Sequence, residues 1–192
     1  MAAAADPTAK LYYNDYNLEY GDAKHKGALR IAKLVQSWGV KIDGVGLQAH
    51  LTSESTKTQS VVTPSVAVLT RTLQDYADLG LDVAYTELDI RSNTPSNDGK
   101  LATAAAAWGR VAQSCINVSR CVGITIWVSF SDLVTSKSMI LIFEQGVADK
   151  YSWVPGTFSG EGSALLWTDN LQKKPAYTAV LDVLNGKNVT RV

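Results

Sequence analysis

Two carboxylates, Glu87 and Asp89, stand two residues apart in "AYTELDI", at the end of an otherwise apolar run. Residues i and i+2 of a strand point to one face, so both side chains would project together. A carboxylate in such surroundings is costly unless it is hydrogen-bonded or catalytic. The chemistry open to it is nucleophilic attack or proton transfer; the structural alternative is a helix N-cap or a loop carboxylate. A second apolar run, "GVGLQAHL", ends near His50, with Gln48 on the same face. If the two runs are neighbouring strands, an imidazole between two carboxylates would hold Glu87 ionised and oriented, as a nucleophile requires. A lone histidine is otherwise a satisfied core or surface residue. His25, in the charged "GDAKHKG", is expected on a solvated helix face.

Aromatic and amide side chains end the other runs. Trp127 closes "CVGITIW" and Trp153 closes "DKYSW"; both read either as core residues or as platforms for the apolar faces of sugar rings. Tyr13 and Tyr16 in "LYYNDYN" have the same two readings, with Asn14, Asp15 and Asn17 available to hydrogen-bond hydroxyl groups. Cys115 and Cys121 could form a disulfide, stay as buried thiols or supply half a metal site. With only His25 and His50 as further ligands, zinc is disfavoured, and no metal site is expected. No cofactor is expected either, since "GVG" at 44–46 is too short for a dinucleotide fingerprint or a phosphate loop.

These side chains need elements to carry them. Strands are expected at about 9–16, 43–49, 81–90 and 121–127, alternating with helices at 20–40, 64–80 and 100–118 and a last helix from Pro175. Ala28, Ile31, Ala32, Leu34, Val35 and Trp38 form the apolar stripe of the first helix, and Gly80 caps the second. Such alternation predicts an α/β architecture with a parallel sheet. Doubly wound sheets and barrels both fit; the polar strand ends favour a barrel, where chemistry collects at the carboxyl ends of the strands.

Composition narrows the partners. Eighteen basic residues balance eighteen acidic ones, which leaves no electrostatic footprint for nucleic acid or an anionic membrane. The 46% hydrophobic and 19% charged content is that of one ordinary globular domain. No run approaches the roughly 18 to 20 apolar residues that span a bilayer, and "MAAAADPTAK" lacks the pattern of a secretory signal peptide. "NVS" at Asn117 and "NVT" at Asn188 are glycosylation acceptors if the chain is secreted.

Taken in order, "LYYNDYNLE", "IDGVGLQAHL", "YTELDI", "CVGITIW" and "GVADKYSW" followed by "ALLWTDNLQKKPAYTAVLDVL" resemble the C-terminal half of glycoside hydrolase family 10. The resemblance spans residues 7–185 except 128–145. It implies an incomplete (β/α)8 TIM barrel, comprising the fifth to eighth strands with their helices, from a retaining endo-1,4-β-xylanase acting on xylan or xylo-oligosaccharides. Glu87 then resembles the family's nucleophile, with His50 and Asp89 as its hydrogen-bonding partners. Gln48, Trp127 and Trp153 resemble substrate contacts, and Asn14, Tyr16 and Asn17, from their own residue types, are expected to bind substrate beside them. Cys115 and Cys121 match a disulfide of fungal members, which implies an extracellular protein. Tyr85 stands where an aliphatic residue is more usual. The family's acid/base Glu follows an asparagine; none of Glu19, Glu54, Glu87, Glu144 and Glu161 does. The chain is therefore expected to be inactive by itself, and the exposed edges of a half barrel are expected to be covered by self-association or by pairing with a missing half. A non-catalytic carbohydrate-binding half barrel, a barrel glycosidase of a related family, and an incomplete translation product are the alternatives.

Residues 128–145, "VSFSDLVTSKSMILIFEQ", interrupt the pattern. Removing them gives "ITIWGVADKYSW" and restores Gly-Val-x-Asp-x-x-Ser-Trp directly after Trp127. Their eighteen codons are in frame, an initial Val-Ser can be read from GTAAGT or GTGAGT, and a final Gln from CAG. Residues 128–145 are thus expected to be a translated, unspliced intron, the alternative being a lineage-specific loop. If translated, the segment should form a disordered excursion or an improvised helix around "SKSMILIF" and displace Trp153.

Overall fold

The computed structural model describes residues 1–127, 141–143 and 148–187, and of 141–143 the backbone alone. A short helix α1 (Ala2–Ala5) precedes strand β1 (Tyr12–Asp15), helix α2 (Ala23–Ser37), strands β2 (Gly44–Leu47) and β3 (His50–Thr52), and helix α3 (Val66–Ala77). There follow β4 (Asp82–Asn93), α4 (Asp98–Ile116), β5 (Cys121–Ile126), β6 (Leu141–Phe143), α5 (Val154–Thr157), β7 (Glu161–Gly162) and α6 (Pro175–Leu184).

The expected α/β architecture is present. The sheet runs β1-β2-β4-β5-β6 with every one of these pairs parallel; helices α2, α3 and α4 lie on the connections β1 to β2, β3 to β4 and β4 to β5, as parallel neighbours require. β3 continues along β4 beyond β2, and β7 pairs antiparallel with the far end of β4. Among the described residues no strand pairs with the outer edges of β1 and β6, so the barrel is not closed. Helices α2, α3, α4 and α6 follow one another outside the sheet. Leu47, Leu51, Leu69, Leu73, Val83, Tyr85, Trp108 and Val111 are buried between the two layers. No helix of the described residues is long and apolar enough to cross a membrane.

Helix boundaries follow local chemistry. Asp22 caps α2 by accepting the Lys24 and His25 N–H groups, and Asn97 caps α4 through Lys100 N–H. Gly80, at φ 78°, turns the chain after α3 as the sequence indicates. Tyr85 is fully buried, and its hydroxyl meets Ser114 Oγ on α4 at 2.9 Å. A phenol thus replaces an aliphatic residue without leaving its polar atom unpaired. Cys115 and Cys121 are joined in a disulfide, with 5.3 Å between their Cα atoms, tying the end of α4 to the start of β5.

Three expectations are corrected. The large residues of the α2 stripe face outward: Ile31, Leu34 and Trp38 are exposed, Trp38 by 66%, while His25, Ala28 and Ala32 are buried. Only small side chains let α2 lie close to its neighbours. His25 is not solvated, because the first turn of α2 packs on α3: its Nε2 lies 3.0 Å from Asp75 Oδ2 and its ring edge-on to Tyr76. Within 128–145, Leu141–Phe143 form a strand beside Gly123–Thr125, where a disordered excursion or an improvised helix was the expectation. The free edge of β5 supplies the unpaired backbone groups that a strand satisfies. Residues 128–140 and 144–147, and with them the rest of the intron expectation, lie outside the described residues, as does Asn188.

Candidate active site

The site is built on a bend. β2 pairs with residues 82–85 of β4 and β3 with 89–91, and Gln48 and Ala49 bridge the break between them. Ala49 has φ 63°, a left-handed conformation that costs a non-glycine residue about 1–2 kcal/mol. In return the Glu87 N–H reaches Gln48 O at 3.1 Å and the Asp89 N–H reaches Ala49 O at 3.3 Å. The bend turns His50 across β4 where its pairing passes from β2 to β3, and Glu87 and Asp89 project there to one side.

His50 Nδ1 is 3.0 Å from Asp89 Oδ2 and its Nε2 is 3.3 Å from Glu87 Oε2. Trp153 Nε1–H donates to the same Asp89 Oδ2 at 2.7 Å, so Asp89 acts as acceptor there. A proton therefore belongs on Nδ1, while Nε2 faces Glu87 and donates to it when the ring is charged. Burial opposes the charge on His50, but the hydrogen bond and charge of Asp89, followed by the charge of Glu87, outweigh it and raise its pKa above the ordinary 6.5. Asp89 is fully buried, and its Oδ1 has no partner among the described residues.

On its other side Glu87 Oε1 accepts Asn14 Nδ2–H at 3.0 Å, and Asn14 Oδ1 accepts the Thr86 hydroxyl at 2.7 Å. The second bond fixes which end of the amide faces Glu87. Gly46 makes room for this: a Cβ there would fall on Asn14 Oδ1 and 2.7 Å from Thr86 Cγ2. The glycines of "GVG" thus serve cross-strand packing, Gly44 likewise lying against the Tyr12 ring.

The tryptophans flank His50. Trp153 meets its ring edge-on at 5.1 Å between centroids, and Trp127, 40% exposed, at 6.2 Å. Trp153 is therefore not displaced from the site, contrary to the expectation for a translated insertion. Its placement comes from the segment after residue 147: Asp149 accepts the Leu165 N–H at 2.9 Å and pairs with Lys174 Nζ at 2.9 Å. Burial raises Asp149 and lowers Lys174, with their mutual attraction opposing both shifts.

Of the remaining expected contacts, Gln48 is part of the bend through its backbone. Tyr16 is exposed at the end of β1, with Lys24 Nζ 3.2 Å above its ring and bonded to Asp15. Asn17, left-handed at φ 56°, lines a separate cavity of about 580 Å³ with Tyr20, Gln59 and Val61, so it is not gathered with Glu87. Asn117 is exposed at the end of α4, remote from these groups in the fold. Two groups escape sequence reading. Glu19 is buried and bonded to Ala49 N–H, and Arg91 pairs with Glu161 at 2.7 Å beneath the β7 turn. Neither lies in a periodic pattern, and only a carboxylate directly after apolar Leu18 hinted at the first.

A parallel α/β layer thus gathers a carboxylate, an imidazole and two indoles on one side, in the kind of position where barrel proteins carry their chemistry. Glycosyl hydrolase family 10 matches residues 1–183, and the chain belongs to that family. It is 62% identical over 187 residues to endo-1,4-beta-xylanase A of Fusarium oxysporum f. sp. lycopersici, covering 97% of this chain and 52% of that protein. Against endo-1,4-beta-xylanase 1 of Gibberella zeae it is 60% identical over 186 residues, covering 97% and 48%. The solved endo-1,4-beta-xylanase of Penicillium canescens superposes with a TM-score of 0.81 at 35% identity, over 98% of this chain and 50% of that one. The chain thus spans about half the length of the relatives it matches.

Proposed function

We propose that this chain carries the nucleophile half of a retaining endo-1,4-β-xylanase site, and that Glu87 is the nucleophile. The observation that carries the reading is the grip on Glu87: one oxygen held by Asn14, the other by His50, on β4 where its pairing passes from β2 to β3. Donors on the two oxygens fix the line of attack of the carboxylate. Glu87 would attack the anomeric carbon as the glycosidic C–O bond breaks, forming a glycosyl ester that water later cleaves. His50 and Asp89 orient it, and Trp127, Trp153, Tyr16, Asn14 and Gln48 are proposed as sugar contacts, with Asn17 contributing only to a sugar unit that reaches the neighbouring cavity. A solved relative, xylanase 10B of Thermotoga petrophila, 31% identical with a TM-score of 0.78, holds xylobiose, which supports a xylo-oligosaccharide as ligand.

The leaving oxygen of xylan needs a proton from a second carboxyl group, roughly 5 to 5.5 Å from the first in retaining enzymes. These 192 residues contain no glutamate after an asparagine, the family's signature for that group. The reading is of a C-terminal half, secreted in its complete form, that binds xylo-oligosaccharides without cleaving them. An activated substrate separates the two roles. A dinitrophenyl β-xylobioside, whose leaving group departs without a proton, should release dinitrophenolate in a step abolished by Glu87→Gln, while xylan stays intact. Turnover of xylan by the purified chain, or equal release by Glu87→Gln, would contradict the reading.

For residues 128–145 the intron reading is retained as a proposal, supported by the in-frame length and the restored motif. Sequencing of transcripts decides it: abundant messages retaining all eighteen codons would make the segment a genuine part of the protein.

A further inference from the structure

Glu19 takes no part in the grip on Glu87, yet its carboxyl group is fully buried. It sits in the turn between β1 and α2. Its Oε1 accepts the Ala49 N–H at 2.7 Å, and its Oε2 has no partner among the described residues. A buried carboxyl group with one oxygen orphaned is expensive to keep. What it holds is the single left-handed residue of the bend, immediately before His50. The carbonyls on either side of that N–H are committed as well, Gln48 O to Glu87 N–H and Ala49 O to Asp89 N–H. The peptide joining Gln48 to Ala49 is therefore fixed from two directions, by Glu19 behind and by β4 beside it.

We propose that Glu19 is a positioning residue for His50: by accepting the Ala49 N–H it holds the left-handed bend and so seats the imidazole between Glu87 and Asp89. The proposal takes His50 as the partner of Glu87, as above, but requires no turnover of any sugar. A plain loop-stabilising role would leave His50 indifferent to Glu19.

The charged and titratable groups around Glu19 are His50 from β3, Lys24 from α2, Tyr76 from α3, Tyr85 from β4 and its chain neighbour Tyr20. Burial, the largest influence, raises the Glu19 pKa to about 7, against the main-chain N–H groups of Glu19 and Ala49 and the charges of His50 and Lys24. With its proton on Oε2, Oε1 still accepts from Ala49; once ionised it accepts more strongly. The Ala49 amide is thus a reporter of Glu19, and the His50 ring a reporter of the bend.

Both are read by NMR titration of the full chain. In the wild type the Ala49 amide should shift with a midpoint near that of Glu19, and Glu19→Gln, which keeps an oxygen acceptor but no proton to lose, should abolish that titration while His50 stays raised. Glu19→Met, similar in size but without an acceptor oxygen, should let the His50 midpoint fall toward 6.5. An unchanged His50 midpoint in folded Glu19→Met overturns the proposal. If Glu19→Met does not fold, the first pair decides: an Ala49 titration that persists in Glu19→Gln, or is absent from the wild type, overturns it. Either failure would leave the nucleophile reading standing, because that rests on dinitrophenolate release.

Discussion

Glu87 is held by an amide that never changes charge and an imidazole that does. Removing the amide by Asn14→Ala frees one carboxylate oxygen and should slow dinitrophenolate release about tenfold, the usual cost of a hydrogen bond of ~1.4 kcal/mol. Two groups here couple the fold to pH in the same direction. His50, raised above 6.5, contributes stability that is complete below that value and is lost as pH rises through its folded pKa. Glu19 moves from 4.5 to about 7, so its contribution is complete below 4.5 and gone above about 7. Urea unfolding should therefore become easier as pH rises from about 4.5 to about 7, by roughly 1.4 kcal/mol per shifted pKa unit of Glu19, and His50 should extend the loss above pH 6.5. A flat profile across that range in the wild type would count against both environments. Glu87, Asp89 and His50 were legible because each ends an apolar run and a strand pattern places it on a known face. Glu19 was not, since its role depends on a backbone bend at Ala49 that no propensity reveals.

At the scale of elements, the break between β2 and β3 and the glycine beneath Asn14 shape the site more than any helix does. Gly46→Ala should push Asn14 away from Glu87 and reduce dinitrophenolate release about as much as Asn14→Ala, with the two effects not adding. The disulfide between α4 and β5 closes a loop of six residues, and replacing both cysteines by serine should cost about 2 kcal/mol in urea unfolding under oxidising conditions. The strands and helices were readable from period and capping, because Asp22, Asn97 and Gly80 punctuate the chain where they should. The buried face of α2 was not. Apolarity alone merged two stripes: Ala28 and Ala32 are buried as expected, together with His25, whereas Ile31, Leu34 and Trp38, about a third of a turn away, face outward.

For the whole molecule, the outward stripe of α2 and the outer edge of β1, which no strand pairs with among the described residues, are the surfaces available for association. A barrel leaves no such edge, since its last strand pairs with its first. A second copy of the chain is expected to cover these surfaces, so sedimentation velocity should show dimers that Leu34→Glu with Trp38→Lys weakens; a wild-type monomer at ~100 µM, well above the weak-interface range, would contradict that. At the opposite edge, β6 lies along β5 where a closing strand would pair. Sequence reading could not foresee this, because pairing there depends on which backbone edge is free. The central claim concerns Glu87, and trapping its ester tests it most directly. A dinitrophenyl 2-deoxy-2-fluoro-β-xylobioside loses its leaving group without acid help and leaves a slowly hydrolysed sugar on the nucleophile. Mass spectrometry of the digested chain should find that sugar on the peptide containing Glu87 and nowhere in Glu87→Gln; an adduct on another residue, or none at saturating reagent, would contradict the assignment.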